Sequence, residues 1–147
     1  MRLVIWNSRY GMKAGRAERL VGLRPDVAVI PEAERAPAWP DQCMPASCVW
    51  DGTDDQKGLG VAAFGDWSIA PAPAPRVPWI LPVQVSGPES FLLLATWTVA
   101  GPGRPDYATQ VADGIDAYRE ELAAGATVLA GDLNCAPQTA APRQHPD

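Results

Sequence analysis

Apolar residues along this chain fall into short blocks, and the spacing inside each block separates strands from helices. Residues 2–6 form a short run of β-branched and bulky side chains, which predicts a buried strand. Ala17, Leu20 and Val21 then recur at helical spacing within residues 14–23, with Arg16, Glu18, Arg19 and Arg24 on the other faces. Pro25 stops that helix, and residues 26–30 begin a second buried strand. A strand, a helix and a strand in so short a span make a compact α/β unit.

Residues 37–45 carry three prolines and no period. Residues 48–50 and 58–64 read as two strands joined by a polar turn at 51–55, and residues 67–69 as a short third strand. The prolines at 71, 73 and 75 lack the amide donor of a central strand and predict an extended surface connection. A hairpin is expected from 79–85 and 91–97, with Pro82 pushing its first strand to an edge or a bulge. The clearest helix follows, since Tyr107, Val111, Ile115, Tyr118 and Leu122 lie three or four residues apart. Asp106 is its expected N-cap, Gly125 its stop, and Gly114 inside it costs about 1 kcal/mol relative to alanine. A final strand covers 126–130.

At 147 residues the chain is expected to be one domain with a real core, and 47% hydrophobic with 20% charged residues is the balance of a globular protein. The longest aliphatic run, 91–95, is too short for a bilayer, so no membrane partner is expected. The N-terminus reads as lacking a signal peptide, which makes a cytoplasmic location the default. Three cysteines without CxxC spacing and a single histidine, His145, give neither a disulfide framework nor a zinc site. The formal net charge of −5 argues against an extended nucleic-acid groove, although a bound divalent cation can supply positive charge locally. A small phosphate ester or a single-stranded end suits this charge better than a long duplex.

Candidate chemistry gathers at strand ends. Asp132 and Asn134 follow Gly131 and the apolar run 126–130, and residues two apart on an extended chain face one side. A carboxylate there can position or deprotonate water, and an amide can donate to a phosphoryl oxygen. Gly-Asp and Asn are equally common turn formers. Glu32 follows the strand that ends near Ile30, across Pro31; alone it is an ordinary solvated loop residue, and Glu34 is an alternative. Asn7, after the first strand, has the same status. Their interest lies in the preference of a hard cation such as Mg²⁺ for one or two carboxylates plus waters.

In this order, residues 2–7, 23–32 and 128–134 resemble the endonuclease/exonuclease/phosphatase superfamily, the deoxyribonuclease I-like fold. Strand 91–97 and the helix from Tyr107 with Gln110 also fall where that family places them, so the resemblance covers nearly the whole chain. It implies an α/β (α+β) four-layer α-β-β-α sandwich of two mixed sheets, as a single domain over residues 1–147. It also implies hydrolysis of a phosphodiester or phosphomonoester by in-line water attack, with Mg²⁺ or Mn²⁺ as cofactor and a phosphate ester, nucleic acid included, as substrate. By resemblance Glu32 binds the metal, Asn7 orients the ligands, Asp132 positions the attacking water, Asn134 contacts the scissile phosphate, and Tyr107 contacts phosphate. A tyrosine on a helix face equally reads as core.

The chain departs from the family pattern in three places. Thr96-Trp97-Thr98 stands where many members have Thr-His-Leu, Pro31 stands where glutamine usually precedes the glutamate, and the family's closing Asp-His pair is not reached. His145, in the terminal loop, reads as a surface residue. The expectation is therefore a sandwich incomplete at its C-terminus with little turnover. The alternative is a catalytically impaired member acting as a fragment or interaction module. Oligomeric state is left open by the sequence.

Overall fold

Alternating side chains on each strand serve two different neighbours, and that division sets the layers. The computed structural model describes residues 1–9, 12 and 15–135. Strands β1 (Leu3–Ile5), β2 (Val27–Ala33), β3 (Ser47–Asp54) and β4 (Lys57–Ala63) form one sheet in the order β1-β2-β4-β3. Strands β5 (Ser68–Pro71), β6 (Ile80–Ser86), β7 (Ser90–Trp97) and β8 (Thr127–Asp132) form the other, in the order β5-β6-β7-β8. In each sheet one pair is parallel, β1 with β2 and β7 with β8, and the remaining neighbours are antiparallel.

The odd-numbered positions Val27, Val29, Leu59 and Val61 meet Leu81, Val83, Val85 and Leu93 in the core between the sheets. Ala28, Ile30 and Ala62 face outward onto Ala17 and Leu20 of helix α1 (Arg16–Gly22). On the opposite side Ile80 and Leu94 pack against Tyr118, beside helices α2 (Tyr107–Ala117) and α3 (Arg119–Ala123). The result is the expected α-β-β-α sandwich of two mixed sheets. Each fully buried valine or leucine contributes about 1.5–3 kcal/mol, so the alternation itself holds the layers together. No helix among the described residues is long and apolar enough to cross a membrane.

Five local expectations are corrected. The strand expected to be buried over 2–6 is β1, half-buried, with Ile5 45% exposed. Pro82 lies in β6, an interior strand, and not on an edge. Its carbonyl accepts from Ala72 N (3.2 Å), so its missing N–H faces the side where β5 has ended at Pro71, and the ladder to β7 loses nothing. The turn expected at 51–55 is shorter, because β3 continues through Gly52 and Thr53 to Asp54. Strand β2 does not stop at Pro31, which pairs with Leu59 while its carbonyl accepts from Ser8 N.

The long helix is also two helices, interrupted at Tyr118, and its buried face is rotated from the expected stripe. Gln110 and Gly114 are buried, whereas Ile115 is 45% exposed. A Cβ on Gly114 would lie 2.7 Å from Ile80 Cδ1, so glycine lets the helix backbone approach the sheet. Its propensity cost is offset by that contact. Asp106 caps α2 as expected, accepting from Thr109 N (3.0 Å).

Candidate active site

Parallel neighbours end on the same side of their sheet, and two such pairs stack here. The C-terminal ends of β1 and β2 therefore meet those of β7 and β8 across the sandwich. The ladder between β1 and β2 continues beyond the strand, with Trp6 N donating to Val29 O and Ser8 N to Pro31 O (both 2.9 Å). Asn7 is held between these two anchors. Ser8 is buried, and its hydroxyl donates to Glu32 O (2.6 Å). The Arg16 guanidinium donates to the carbonyls of Ser8 and Arg9, tying α1 to the same loop.

Glu32 is an extra residue in β2: Pro31 pairs with Leu59 and Ala33 with Gly58, and Glu32 between them has φ +60°. A bulge of this kind re-aims one side chain, and left-handed backbone in a non-glycine residue costs about 1–3 kcal/mol. On the other sheet, Gly131 stays within β8, opposite Thr96, where a Cβ would collide with the Thr96 carbonyl oxygen. Glycine is thus needed for close approach, not to release the strand as its sequence position suggests. Beyond the strand, Thr98 N donates to Asp132 O (3.1 Å) and the Thr98 hydroxyl to Leu133 O (2.6 Å). Asn134, at φ +47°, donates from Nδ2 to Thr98 O (2.9 Å) and from its backbone N to Asp132 Oδ1 (3.2 Å).

The two halves join at one amide. Asn7 Nδ2 donates to Glu32 Oε1 (3.1 Å) and to Asp132 Oδ2 (2.9 Å), the latter 125 residues away in sequence. Asn7 Oδ1 accepts from Arg9 N (2.9 Å), so the asparagine is occupied on both sides and acts as a strut. Among the described residues one amide hydrogen of Asn134 is used, by Thr98 O, which leaves the second for another acceptor. Lys57, at the start of β4, places Nζ 3.7 Å from Glu32 Oε2 and 5.3 Å from the Trp97 ring centroid. Asn7, Glu32, Asp132 and Asn134 are thus joined in one hydrogen-bonded cluster.

Tyr107 opens α2, half-exposed, and among the described residues no hydrogen bond joins it to this cluster. Its helix is linked to the site through buried Gln110, which exchanges hydrogen bonds with the backbone of Val99 and donates to Pro105 O (2.8 Å). Glu34 lines a small cavity with Trp39 and Trp50, apart from the cluster. His145 lies outside the described residues. Ser8 and Lys57 were not singled out by sequence, and Thr98 entered only within the departure Thr96-Trp97-Thr98. Ser8 merely adjoins Asn7, and Lys57 opens the strand antiparallel to β2.

Among the described residues no group of three or more His, Cys, Asp or Glu side chains converges. The donor set is two carboxylates oriented by one amide, and each has further lone pairs. That set does not fit a closed zinc cage. It does fit Mg²⁺ or Mn²⁺, which keep several waters and take the rest of their ligands from substrate phosphate. Beside the cluster a cavity of about 420 Å³ is lined in part by Lys57, Trp97, Trp79 and Arg104.

No protein-family model and no curated protein matches the sequence. Solved structures do match the fold. The endonuclease domain of TRAS1, a telomere-specific non-LTR retrotransposon, superposes with a TM-score of 0.63 at 14% identity over 91% of this chain. Truncated TDP2 from Caenorhabditis elegans gives 0.61 at 17% identity over 90%. Both belong to the superfamily with the deoxyribonuclease I-like fold, and this chain has that fold. It spans 59% and 62% of those two chains, respectively.

Proposed function

We propose that the chain carries the metal-binding and water-positioning part of a phosphoesterase of the endonuclease/exonuclease/phosphatase superfamily. One observation carries this reading: a single asparagine amide holds Glu32 and Asp132, from different sheets, side by side. Strand ends of parallel pairs are where open sheets collect ligands, and two carboxylates so held have few structural uses. The fold shared with an endonuclease domain supports the same class of chemistry.

In this reading Glu32 holds Mg²⁺ or Mn²⁺, with Asp132 beside it. The bound cation would supply charge stabilisation to the phosphoryl oxygens. Asp132 positions the attacking water and accepts its proton, a role worth 10²–10⁴-fold in typical cases. Asn7 fixes both carboxylates, and Asn134 offers its second N–H to a phosphoryl oxygen. Thr98 holds Asn134 by its carbonyl and the preceding turn by its hydroxyl, so it is a positioning residue.

A second reading, a family member with impaired turnover, is favoured by Trp97. An indole stands where the resemblance calls for histidine, and it cannot exchange a proton. Hydrolysis of bis-p-nitrophenyl phosphate decides between them. The hydrolase reading expects turnover with Mg²⁺ that EDTA abolishes and that Asp132→Asn lowers at least about 100-fold. A folded chain without Mg²⁺-dependent turnover establishes the second reading.

A further inference from the structure

Lys57 stands against the cluster, yet none of the proposed roles uses its charge. It opens β4 beside Gly58, the ladder partner of Ala33 just past the Glu32 bulge. Its ammonium lies 3.7 Å from Glu32 Oε2, while Oε1 of the same carboxylate takes the Asn7 amide. That separation is an ion-pair distance, longer than a hydrogen bond. On its other side the ammonium lies 5.3 Å from the Trp97 ring centroid, inside the range of about 6 Å for cation–π attraction.

Trp97 and Asp132 are partners in the parallel ladder of β7 and β8, so their side chains leave one face of the sheet. Trp97 packs on the core between the sheets, which identifies that face as the inner one. Asp132 therefore points toward the first sheet, and Lys57 reaches the same region from β4. Lys57 and Trp97 also line the 420 Å³ cavity beside the cluster.

The charges explain what such a lysine can do. Glu32, Asp132, Asn7 and Asn134 bring two carboxylates and two neutral amides, a poor reception for an anionic ester. A divalent cation at Glu32 would offset the carboxylates, but it would also repel an ammonium this close unless an anion lay between them. A phosphoryl oxygen is such an anion. Lysine suits the contact, being a point charge with three donors on a flexible stem.

We infer that Lys57 contacts the phosphoryl group of the bound ester, with the Trp97 ring holding its ammonium beside Glu32. The inference rests on the phosphoesterase reading for the identity of the anion. A lysine that merely neutralised Glu32 would act on metal affinity and not on phosphate.

Calorimetric titration of inorganic phosphate into the full chain in excess Mg²⁺ is the test, because phosphate binding needs no turnover. Lys57→Met should weaken phosphate at least about tenfold, as expected when a hydrogen bond to a charged group is lost. Lys57→Arg, which keeps the charge, should stay within about threefold of the wild type. Arg104→Gln removes the same charge from another residue lining the cavity and should change phosphate affinity less than about twofold. Titrated with Mg²⁺ alone, Lys57→Met should bind the metal as tightly as the wild type or more tightly, since a repelling charge is gone. Should Lys57→Met fail to fold, Lys57→Gln carries the same comparison.

Unchanged phosphate affinity in Lys57→Met, or an equal loss in Arg104→Gln, would overturn the inference. Phosphate binding that depends on Lys57, in a chain without Mg²⁺-dependent hydrolysis, would keep the contact and remove the hydrolase. Hydrolysis that Lys57→Met leaves unchanged would keep the hydrolase and remove the contact.

Discussion

Glu32 and Asp132 stand at the same height on the two sheets, yet their supports differ. Strand β2 beneath Glu32 lies inside its sheet, and Val27, Ala28 and Val29 are fully buried. Among the described residues strand β8 beneath Asp132 is an edge, and every one of its residues is only half-buried. The first half therefore tolerates a left-handed glutamate, because packing on both faces and the Ser8 hydroxyl over-determine its backbone. The second half has no such reserve. It depends on the close Gly131–Thr96 approach and on Thr98, which fastens the chain leaving the strand. Left-handed backbone and hydrogen bonds occur on both sides, at Glu32 and at Asn134, but deep burial backs them only at Glu32.

The strongest way to break this contrast is at Gly131. Gly131→Ala drives a methyl group into the Thr96 carbonyl, so β7 and β8 must separate. We expect a loss of about 3 kcal/mol in urea unfolding, the upper range for overpacking, together with loss of Mg²⁺-dependent turnover. A variant of wild-type stability would mean that the approach is not what holds β8. Native-state hydrogen exchange measures the same contrast without mutation. Amides of β8 should exchange at least about tenfold faster than those of β2, corresponding to a difference in local opening of roughly 1.4 kcal/mol. Equal protection would make the two supports equivalent.

Glu32→Gly inverts the argument on the buried side. Glycine accepts φ +60° without strain but brings its own entropy cost, so stability should stay within about 1 kcal/mol of the wild type. Isothermal titration with Mg²⁺ should nevertheless show metal affinity lost, and Glu32→Gln, which keeps the side-chain shape, should lose it too. Metal binding equal in all three proteins would remove Glu32 from the ligand set.

Several of these features were legible in the sequence and others were not, for physical reasons. The blocks 26–30 and 126–130 announce strands because runs of consecutive apolar residues favour burial, which is complete from Val27 to Ile30 and only partial in β8. The polar residues following them mark the cleft for the same reason. The bulge was hidden because Pro31 reads as a stop, although in space its carbonyl is the anchor for Ser8. The buried face of α2 was misplaced because Gly114 and Gln110 have no apolar signature. One is buried for its lack of a side chain, the other for its hydrogen bonds to Val99 and Pro105. Lys57 could not be paired with Glu32 before the register of β2 and β4 was known.

The smallest expected effect concerns Asp106, which secures the helix that bears Gln110 and hence the Val99 connection behind Thr98. The Thr109 backbone N–H and hydroxyl both donate to its carboxylate and hold its pKa below the usual value. A carboxyl group whose folded pKa is lowered stabilises the fold above its unfolded pKa, about 3.9, and loses that contribution as pH falls through the folded value. The group is exposed, so the effect is modest. Asp106→Ala should lower the melting temperature by a few degrees at pH 7, and this difference should shrink steadily below pH 4. If the cap also steadies the edge half of the cleft, the same variant should speed amide exchange at Val99 and Thr98 while leaving β2 unchanged. A uniform increase across both sheets would instead show that the cap acts on global stability, and the independence of the two halves would fail.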